Sequence, residues 1–567
     1  MGRSEGGGFD VILGNPPWER VNLEARQFFA TIRPDIAEAM TSKRRDLLKV
    51  LASEWPELMR EFQEAQRRST TEIAFYQNSG AYPHLNQARL NTYILFTELS
   101  ARLASDRGRC GIIVPSGVAT DDTSKHLFRF LIEDGRLVSL FDFENQDGLF
   151  VGVHRSYKYC LLTLRGANPG DAARFAFFLH QPEHLGDEHR LFSLTADELN
   201  LLSPSTGLCP TFRSKRDREI VLSLYGRVKP LVKQQEDDLD WAKSDFLIMF
   251  RSDDSAHLYK TCAELGVAEP DPSSLPRLRV GDTLYVPVWE SKLLHQFDHR
   301  FASFAKVDEA ERKKGNTREL TSAEKEKAWI ALPRYWSPLA AVNDILGSRA
   351  WSRTWTLGYR DIARATDQRT AIACVLPEGG AAQPLNLFLP QSGMHGIFWL
   401  ASMNSLALDY VARQRIGGVH LNITSCRQLP VVGPATVNFD SQRFVRDRVL
   451  ELVFTSPALE AFAQDCGWSG PPFRWDEERR FQLRCELDAA FFHLYGLNRD
   501  DTAYILDTFP IVKRKDEARH GHYRTQRVIL ELYDALKSAT ETGQPYQTRL
   551  NPPPADPRCC HPPRASG

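Results

Sequence analysis

A short apolar run followed by two adjacent prolines constrains the start of this chain more than any other feature. The run Phe9–Gly14 has the length and composition of a buried strand. It leads into Asn15-Pro16-Pro17-Trp18, where the prolines fix φ and remove two backbone donors, so the strand must end there. A turn after a core strand is the simplest interpretation. The rigid placement of an amide beside an aromatic ring also predicts a chemistry.

These four residues carry the groups needed to present the exocyclic amine of a base for methylation. The side-chain carbonyl of Asn15 and the backbone carbonyl of Pro16 can accept both hydrogens of an adenine amino group. Accepting both hydrogens draws the nitrogen lone pair out of conjugation with the ring. Trp18 can stack on a base flipped out of the duplex, and Pro17 helps to hold the acceptors in place. We therefore predict Asn15, Pro16, Pro17 and Trp18 as catalytic residues.

The sequence around these residues resembles a known family. FDVILGNPPWERV is similar to motif IV of the large N6-adenine DNA methyltransferases of restriction-modification and phage-defence systems, of the type IIG-like and BREX- or DISARM-like kind. Further segments resemble the helix and strand after that motif, two signatures of the target-recognition region and the helical C-terminus: 91–96, 111–116, 293–301, 417–422, and 487–489 with 494–497. The likeness covers most of residues 9–510.

The resemblance implies S-adenosylmethionine (SAM) as the cofactor. In that family SAM is held by a glycine-rich turn after the first strand, and an acidic residue after the second strand holds its ribose. This segment usually precedes motif IV, which here begins at Phe9, and no strand followed by Gly-x-Gly occurs later. Gly6-Gly7-Gly8 precedes a strand, and Gly417-Gly418 lacks the spacing. The cofactor-binding residues are therefore unknown, and we expect a C-terminal portion of such an enzyme, with a separate chain carrying the SAM-binding half as a candidate partner.

Hydrophobic periodicity predicts an α/β fold, because strands alternate with helices. The predicted strands are 9–14, 110–114, 137–143 and 157–164, and the helices between them are 91–105 and 123–133. In the light of the resemblance, these strands are the C-terminal half of a Rossmann-like SAM-dependent methyltransferase sheet, with the last two as its antiparallel edge. The strand at 9–14 would normally be central, and a bare edge there favours pairing with another chain or aggregation.

The rest of the chain divides by composition and resemblance into five regions. We predict the half methyltransferase domain at 1–170, a connecting region at 171–274, an α+β target-recognition domain at 275–432, a helical region at 433–542 and a disordered tail at 543–567. Within the connecting region, the acidic stretch 234–242 does not favour contact with DNA.

Predicted DNA-binding residues lie in the recognition region, where Arg353, Arg360, Arg364 and Arg369 alternate with aromatic residues. Arginine can read guanine edges and bind phosphates. Lys313-Lys314 lies in a loop-like stretch that could touch the DNA backbone. The alternative is that the tryptophans near these arginines are core and the charged groups only solvated. The basic stretch 513–527 leaves the same two alternatives open.

Composition limits the classes of function. With 567 residues, 42% of them hydrophobic, the chain can form two to four domains. It has no signal peptide and no apolar run long enough to span a bilayer, so we expect a cytoplasmic protein without a membrane partner. Ten scattered cysteines without Cys-x-x-Cys predict reduced thiols and no metal site. A net charge of −1 means that DNA binding must come from local patches.

We expect a site-specific, adenine-specific DNA methyltransferase that transfers a methyl group from SAM to a flipped-out adenine of double-stranded DNA. Three alternatives stay open. The chain could be a non-catalytic DNA-recognition subunit of a split methylase or restriction enzyme, or a remnant without function. It could also be a Mg²⁺-dependent endonuclease, in which Asp282 and Glu290 bind the metal and Lys292 stabilises developing charge.

Overall fold

The computed structural model describes residues 7–39, 41–85, 90–167, 170, 172–236, 241–251, 255–272, 277–416 and 418–562. Gly6, Gly417, residues 237–240 of the acidic stretch and residues 563–567 of the predicted tail therefore lie outside the described residues. The chain forms two compact units, Met1–Glu219 and Ile220–Gly567. The finer division into five regions stays a prediction. In the described ranges, no helix is both long and apolar enough to cross a membrane.

The first unit is built on a six-stranded mixed sheet. Its strands are β1 (Phe9–Gly14), β2 (Ala104–Pro115), β3 (Leu137–Glu144), β4 (Lys158–Arg165), β5 (Ala172–Leu179) and β6 (Phe192–Thr195). Their order is β1-β2-β4-β3-β5-β6, with β1 parallel to β2, β4 antiparallel to both of its neighbours, and β3 parallel to β5. All four strands expected from the periodicity are present. The last two of these strands, β3 and β4, pair antiparallel as expected. Their expected position at the edge of the sheet is wrong, because β5 and β6 extend the sheet beyond β3.

Helices surround this sheet and form a separate small core beside it. They are α1 (Ala25–Phe29), α2 (Pro34–Glu38), α3 (Thr41–Glu54), α4 (Pro56–Asn78), α5 (Thr92–Leu103), α6 (Gly117–Thr120), α7 (Lys125–Glu133) and α8 (Ala196–Leu202). The helices α2 and α4 each begin with proline. Proline suits this position because a backbone N–H there would have no partner within the helix, and proline has none. In α7, Leu127, Phe128 and Leu131 recur on one face and are buried.

The strand β1 differs from the buried strand that its composition predicts. Phe9, Val11 and Leu13 are 59%, 73% and 86% exposed. The strand lies at the end of the sheet, pairs with β2 on one side, and has no neighbour on its other side among the described strands. An apolar run predicts a strand from local sequence, but its burial depends on neighbours that the described chain does not supply.

The second unit contains two four-stranded sheets and a two-stranded ribbon. Its strands are β7 (Asp245–Leu247), β8 (Leu278–Val280), β9 (Thr283–Trp289), β10 (Ala302–Ser303), β11 (Arg318–Glu319), β12 (Tyr335–Pro338), β13 (Trp355–Arg360), β14 (Ala373–Pro377), β15 (Gly380–Ala381) and β16 (Leu385–Leu389). One sheet has the order β12-β9-β15 with β8 also on β9, and the other has the order β14-β13-β16-β7. Val286, Val288, Leu376 and Leu387 join both sheets in one core.

Helices make up most of the remaining second unit. They are α9 (Lys215–Arg227), which begins in the first unit, α10 (Leu231–Glu236), α11 (Cys262–Leu265), α12 (Glu309–Lys314), α13 (Ser322–Glu326), α14 (Leu339–Gly347), α15 (Gly393–Asn404), α16 (Leu406–Arg413), α17 (Ile423–Arg427), α18 (Phe439–Val453), α19 (Glu460–Asp465), α20 (Glu477–Leu494), α21 (Arg499–Asp507), α22 (Pro510–His520) and α23 (Arg524–Thr542). Six of them fall within the helical region expected at 433–542.

The segment after α23 is ordered against the second unit up to residue 562, whereas its composition predicts a disordered tail. Arg479 donates to the carbonyl of Pro552 at 2.7 Å, and the Tyr546 hydroxyl donates to Glu486 at 2.7 Å. Cys560 is buried and forms a β-bridge with Phe473. Proline has no backbone N–H, so a proline-rich segment forms few backbone hydrogen bonds of its own. Here the Arg479 side chain binds the carbonyls of Pro552 and Pro553.

Candidate functional site

The loop after β1 is fastened to the start of α5. The Thr92 hydroxyl donates to the carbonyl of Pro17 at 2.6 Å and accepts from the backbone N–H of Glu19 at 3.0 Å. The backbone N–H of Thr92 also donates to the carbonyl of Glu19 at 2.9 Å. One threonine therefore binds the loop at three points. Asn15, at the beginning of the loop, has an exposed side chain.

Trp18 is anchored by one edge of its ring. Its Nε1 donates to the carbonyl of Ile113 in β2 at 3.3 Å, and the half-buried ring packs against a cluster that contains Phe143 and Tyr159. Trp18 therefore has a fixed position at the end of the sheet where β1 and β2 end. The four residues predicted as catalytic lie together there, as a contiguous loop must.

The loop between β3 and β4 brings a second aromatic ring to the same place. The buried amide of Asn145 donates to the carbonyls of Phe150 and Val153, both at 3.0 Å, and accepts from the N–H of Phe150 at 2.9 Å. The backbone N–H of Asn145 donates to the carbonyl of Tyr157 at 3.0 Å. These bonds hold Tyr157, whose side chain is 52% exposed, at the start of β4.

The rings of Trp18 and Tyr157 lie nearly parallel, 17° apart, with their centroids separated by 6.5 Å. The two rings are therefore neighbouring aromatic surfaces at this end of the sheet. The sequence singled out Trp18 and not Tyr157, which reads simply as the first residue of a strand. Only the order β1-β2-β4 shows that the two rings meet.

Charged groups lie at the same end of the sheet. Asp142 in β3 is buried and accepts a short hydrogen bond from the hydroxyl of Ser116. Burial raises the pKa of Asp142 to about 6, against the lowering effects of the Ser116 hydrogen bond and of Lys158. Glu144 lies 3.0 Å from the Lys158 ammonium and 3.6 Å from the His180 ring. This end of the sheet therefore holds a buried carboxyl that can change its charge close to neutral pH.

Stability should depend on pH through Asp142. Because its pKa is higher in the folded chain than the ordinary value of 3.8, the folded state binds the proton more tightly and gains stability as the pH falls through about 6. We expect Asp142→Asn to unfold at higher urea concentration than the natural chain at about pH 8, with the difference shrinking towards about pH 4. Urea midpoints across this range test it, with the exposed Asp46→Asn as the charge-matched control. A difference independent of pH contradicts the prediction.

Removal of the Thr92 hydroxyl should loosen the loop after β1. Thr92→Val keeps the shape of the side chain and leaves the Pro17 carbonyl and the Glu19 N–H without this partner. The free energy of local opening of the loop should fall by about 1 kcal/mol, so the Glu19 amide should exchange its hydrogen roughly fivefold faster. Hydrogen exchange followed by mass spectrometry measures this rate. Thr92→Ser should exchange like the natural chain, and equal rates in Thr92→Val would show that the hydroxyl does not hold the loop.

The structure gives three of the predicted DNA-binding arginines partners within the second unit. Arg353 donates to the carbonyls of Pro390 and Gln391 at 3.0 and 3.1 Å. Arg360 donates to the carbonyls of Ser291 and Leu294 at 3.1 and 2.5 Å, and Arg369 pairs with Asp409 at 2.6 Å. Trp355 is buried in the core. The buried Trp355 agrees with the alternative of core tryptophans, whereas these arginines are bound within the unit and are not simply solvated. Their contact with DNA stays a prediction.

The other predicted DNA-binding residues are solvent-facing. The Arg364 side chain is exposed. Lys313 and Lys314 end α12, where they lie 3.5 Å from Glu309 and 2.6 Å from Glu311. Lysines in the last turn are also favourable to the helix dipole, so their position has a local cause. Contact of these three residues with DNA stays a prediction.

The nuclease hypothesis has no support in the geometry. Asp282 precedes β9 and Glu290 follows it, and seven extended residues at about 3.3 Å each place them more than about 20 Å apart. Glu290 instead pairs with Arg334 at 2.8 Å, and Lys292 donates to the carbonyl of Gly315 at 2.6 Å. Within the described part of the chain, no group of three or more potential ligands could hold a metal ion.

The glycine-rich turn expected for SAM does not occur among the described residues. No described strand is followed by Gly-x-Gly, and the edge of β1 away from β2 has no described strand beside it. The groups gathered around Trp18 are hydrogen-bond acceptors and aromatic rings.

Comparisons with known proteins give a match over part of the first unit. Residues 62–150 match the model of the Eco57I restriction-modification methylase family. This range includes α5, β2, α7 and β3 and does not include the Asn15–Trp18 loop. No protein with a curated description matches the chain.

Three solved structures are similar to this chain at low identity. They are the type IIL restriction-modification enzyme MmeI in complex with DNA (10% identity, 88% of this chain, TM-score 0.38), the type IIG restriction endonuclease BpuSI (13%, 76%, 0.25) and the ATP-dependent type ISP restriction-modification enzyme LlaBIII bound to DNA (10%, 87%, 0.28). The chain covers 57%, 52% and 30% of their respective lengths, so it spans only part of the proteins it matches. Over residues 62–150 the chain is similar to restriction-modification methylases.

Proposed function

We propose that this chain acts in the site-specific methylation of adenine N6 in double-stranded DNA, within a restriction-modification or phage-defence system. The observation that carries the proposal is the pair of near-parallel rings, Trp18 and Tyr157, 6.5 Å apart beside the exposed amide of Asn15. The family match over residues 62–150 supports a methylase role, and the loop chemistry supports an amine as the acceptor.

The amine of the base is oriented by two acceptors at the beginning of the loop. Asn15 accepts one hydrogen through its side-chain carbonyl, and the backbone carbonyl of Pro16 accepts the other. The carbonyl of Pro17 already receives the Thr92 hydroxyl, so it does not compete for the amine. With both hydrogens held, the nitrogen lone pair points away from the ring, which raises its nucleophilicity. Fixed orientation of this kind supplies a large part of the rate in group transfer.

The extruded base is held by stacking on Trp18 and Tyr157. Extrusion from the duplex costs a few kcal/mol. Stacking on an aromatic side chain contributes about 1–3 kcal/mol per base, so two rings together can offset that cost. The near-parallel orientation of the two rings, 17° apart, suits stacking on the faces of one planar base.

SAM, the usual donor of methylases, supplies the methyl group when bound. The described residues near Asn15 bind and orient the amine only, so the proposal assigns no donor-binding residue. A second candidate function follows from β1. Its exposed Phe9, Val11 and Leu13 favour pairing with a further strand, as in a split methylase whose other chain carries the donor site.

The test is transfer of an isotopically labelled methyl group from SAM to unmethylated genomic DNA, followed by mass spectrometry of the nucleosides. Genomic DNA contains every recognition site, so the target sequence need not be known. Label in N6-methyladenine is the expected result. Label in methylcytosine and none in adenine would contradict the adenine assignment. Label that appears only after a second chain is added would favour the split methylase.

A further inference from the structure

The second unit contains a large cavity that none of the functions above uses. It has a volume of about 1190 Å³ and lies between α20, α22 and the beginning of α16. Apolar side chains such as Phe481, Leu406 and Val512 form part of its wall. Five cationic side chains also line it, namely Arg369, Arg484, Lys515, Arg519 and Arg524. Three of these, Lys515, Arg519 and Arg524, belong to the basic stretch 513–527 whose role the sequence left open.

The carboxylates of the cavity are bound by the chain itself. Glu477 accepts from the Trp475 ring N–H at 2.7 Å, Asp488 from the backbone N–H of Leu406 at 2.7 Å, and Asp516 from the backbone N–H of Thr525 at 2.6 Å. Glu478 forms a short ion pair with Arg524. Burial also raises the pKa of Asp488 to about 6, against the lowering effect of the Arg369 charge.

Two arginines remain without such partners. Arg369 pairs with Asp409 at 2.6 Å, and the Lys515 ammonium donates to the side-chain carbonyl of Gln368 at 2.5 Å. Arg484 and Arg519, in contrast, form no side-chain hydrogen bond or ion pair with any residue that the structure describes. Both side chains line the cavity. Arg519 is exposed and Arg484 is half-buried.

Arg484 lies in the cavity wall with few charged groups to compensate it. Burial lowers the pKa of its guanidinium, and the charges of Glu477 and Asp488 act in the opposite direction. A desolvated cation is normally compensated by a carboxylate at contact distance, and replacing an uncompensated one with a neutral group usually stabilises a protein. A cation kept without a contact partner in the wall of a cavity is therefore well explained by a ligand that supplies the negative charge.

We propose that this cavity binds the phosphate of a nucleotide through Arg484 and Arg519, with the sugar and base against the apolar wall around Phe481. A guanidinium matches a phosphate in two-bond geometry, and the cavity is large enough for a nucleotide. The phosphate can belong to a free nucleotide or to one unit of a DNA strand. This proposal does not depend on the methylase function, because it uses none of the residues around Asn15.

The test compares Arg484→Gln and Arg519→Gln with Arg514→Gln in the full chain. Arg514 lies on α22, the helix that also carries Arg519, and it is exposed. Because Arg514 does not line the cavity, its variant loses the same charge without changing the proposed site. Two probes are used: deoxyadenosine monophosphate, measured by calorimetry, and a short DNA duplex, measured by fluorescence anisotropy. Loss of a charge-assisted hydrogen bond to phosphate should raise Kd roughly tenfold or more.

Each outcome has a defined meaning. Weaker binding of the monophosphate by Arg484→Gln and Arg519→Gln, but not by Arg514→Gln, assigns the cavity to a free nucleotide. The same pattern for the duplex alone assigns it to a DNA strand. Unchanged Kd values for both probes, or an equal loss in Arg514→Gln, would overturn the proposal. Thermal unfolding of Arg484→Gln is measured beside that of the natural chain, so that a loss of the fold is distinguished from a loss of binding.

Discussion

Asn15→Ala is expected to reduce methyl transfer to adenine by about 10²–10³-fold, the range found when one fixed hydrogen-bonding group at a reacting centre is removed. The loss comes from the amine, which then has only the Pro16 carbonyl as an acceptor and returns its lone pair to the ring. Asn15 is exposed and follows the end of β1, so the substitution should leave folding intact. The initial rate of labelled methyl transfer to genomic DNA, with the donor saturating, measures the effect.

The binding of DNA separates this loss from a general defect. Asn15→Ala should bind a duplex within about twofold of the natural chain, because phosphate contacts dominate affinity and the variant removes none of them. Asn78→Ala, at the exposed end of α4, removes the same side chain from a position away from the loop and should methylate normally. A rate in Asn15→Ala equal to that of the natural chain would rule out the proposed role of the amide.

Tyr157→Ala should lower kcat/KM for DNA methylation by about 10- to 100-fold, because stacking of a base on one aromatic ring contributes about 1–3 kcal/mol. The side chain is 52% exposed, so its removal costs little in packing. Trp18 stays fixed by its bond to Ile113, and the base would be stacked on one face only. Rates at subsaturating DNA, with thermal unfolding as a check on the fold, measure the change.

Tyr157→Phe is the matched control. It keeps the ring and removes the hydroxyl, so its kcat/KM should stay within about twofold of the natural value. If Phe and Ala were equally impaired, the hydroxyl and not the stacking surface would be the active element. If both were as active as the natural chain, the near-parallel arrangement of the two rings would have no function in catalysis.

The sequence predicts the β1 loop well because its determinants are local. An apolar run specifies a strand, and two prolines end it, without help from distant residues. The position of β1 at the edge of the sheet is not local. Leu13, which is 86% exposed, has the composition of a core residue, and only the neighbours of the strand decide whether it is covered.

Long-range contacts explain why Tyr157 was missed. Residues 18 and 157 are far apart in the chain, and their rings meet only because β4 inserts next to β2. The arginines of the second unit also have partners that the sequence does not show, and their contact with DNA stays a prediction. Their spacing among aromatic residues suggested a surface for DNA, yet Arg360 and Arg369 satisfy carbonyls and carboxylates of their own unit. A sequence shows that a cation is present, but not what faces it.

An extruded adenine is proposed to stack on Trp18 and Tyr157. A duplex carrying photoreactive 8-azidoadenine opposite a mismatched base tests this contact without a methyl donor, because a mismatched base is extruded at the lowest cost. After irradiation, mass spectrometry of the digested protein locates the attached nucleotide. Attachment to the peptides that contain Trp18 or Tyr157 is expected, and in Tyr157→Ala the attachment to the peptide of residue 157 should be lost. Attachment only to peptides elsewhere in the chain would show that the adenine does not reach these two rings.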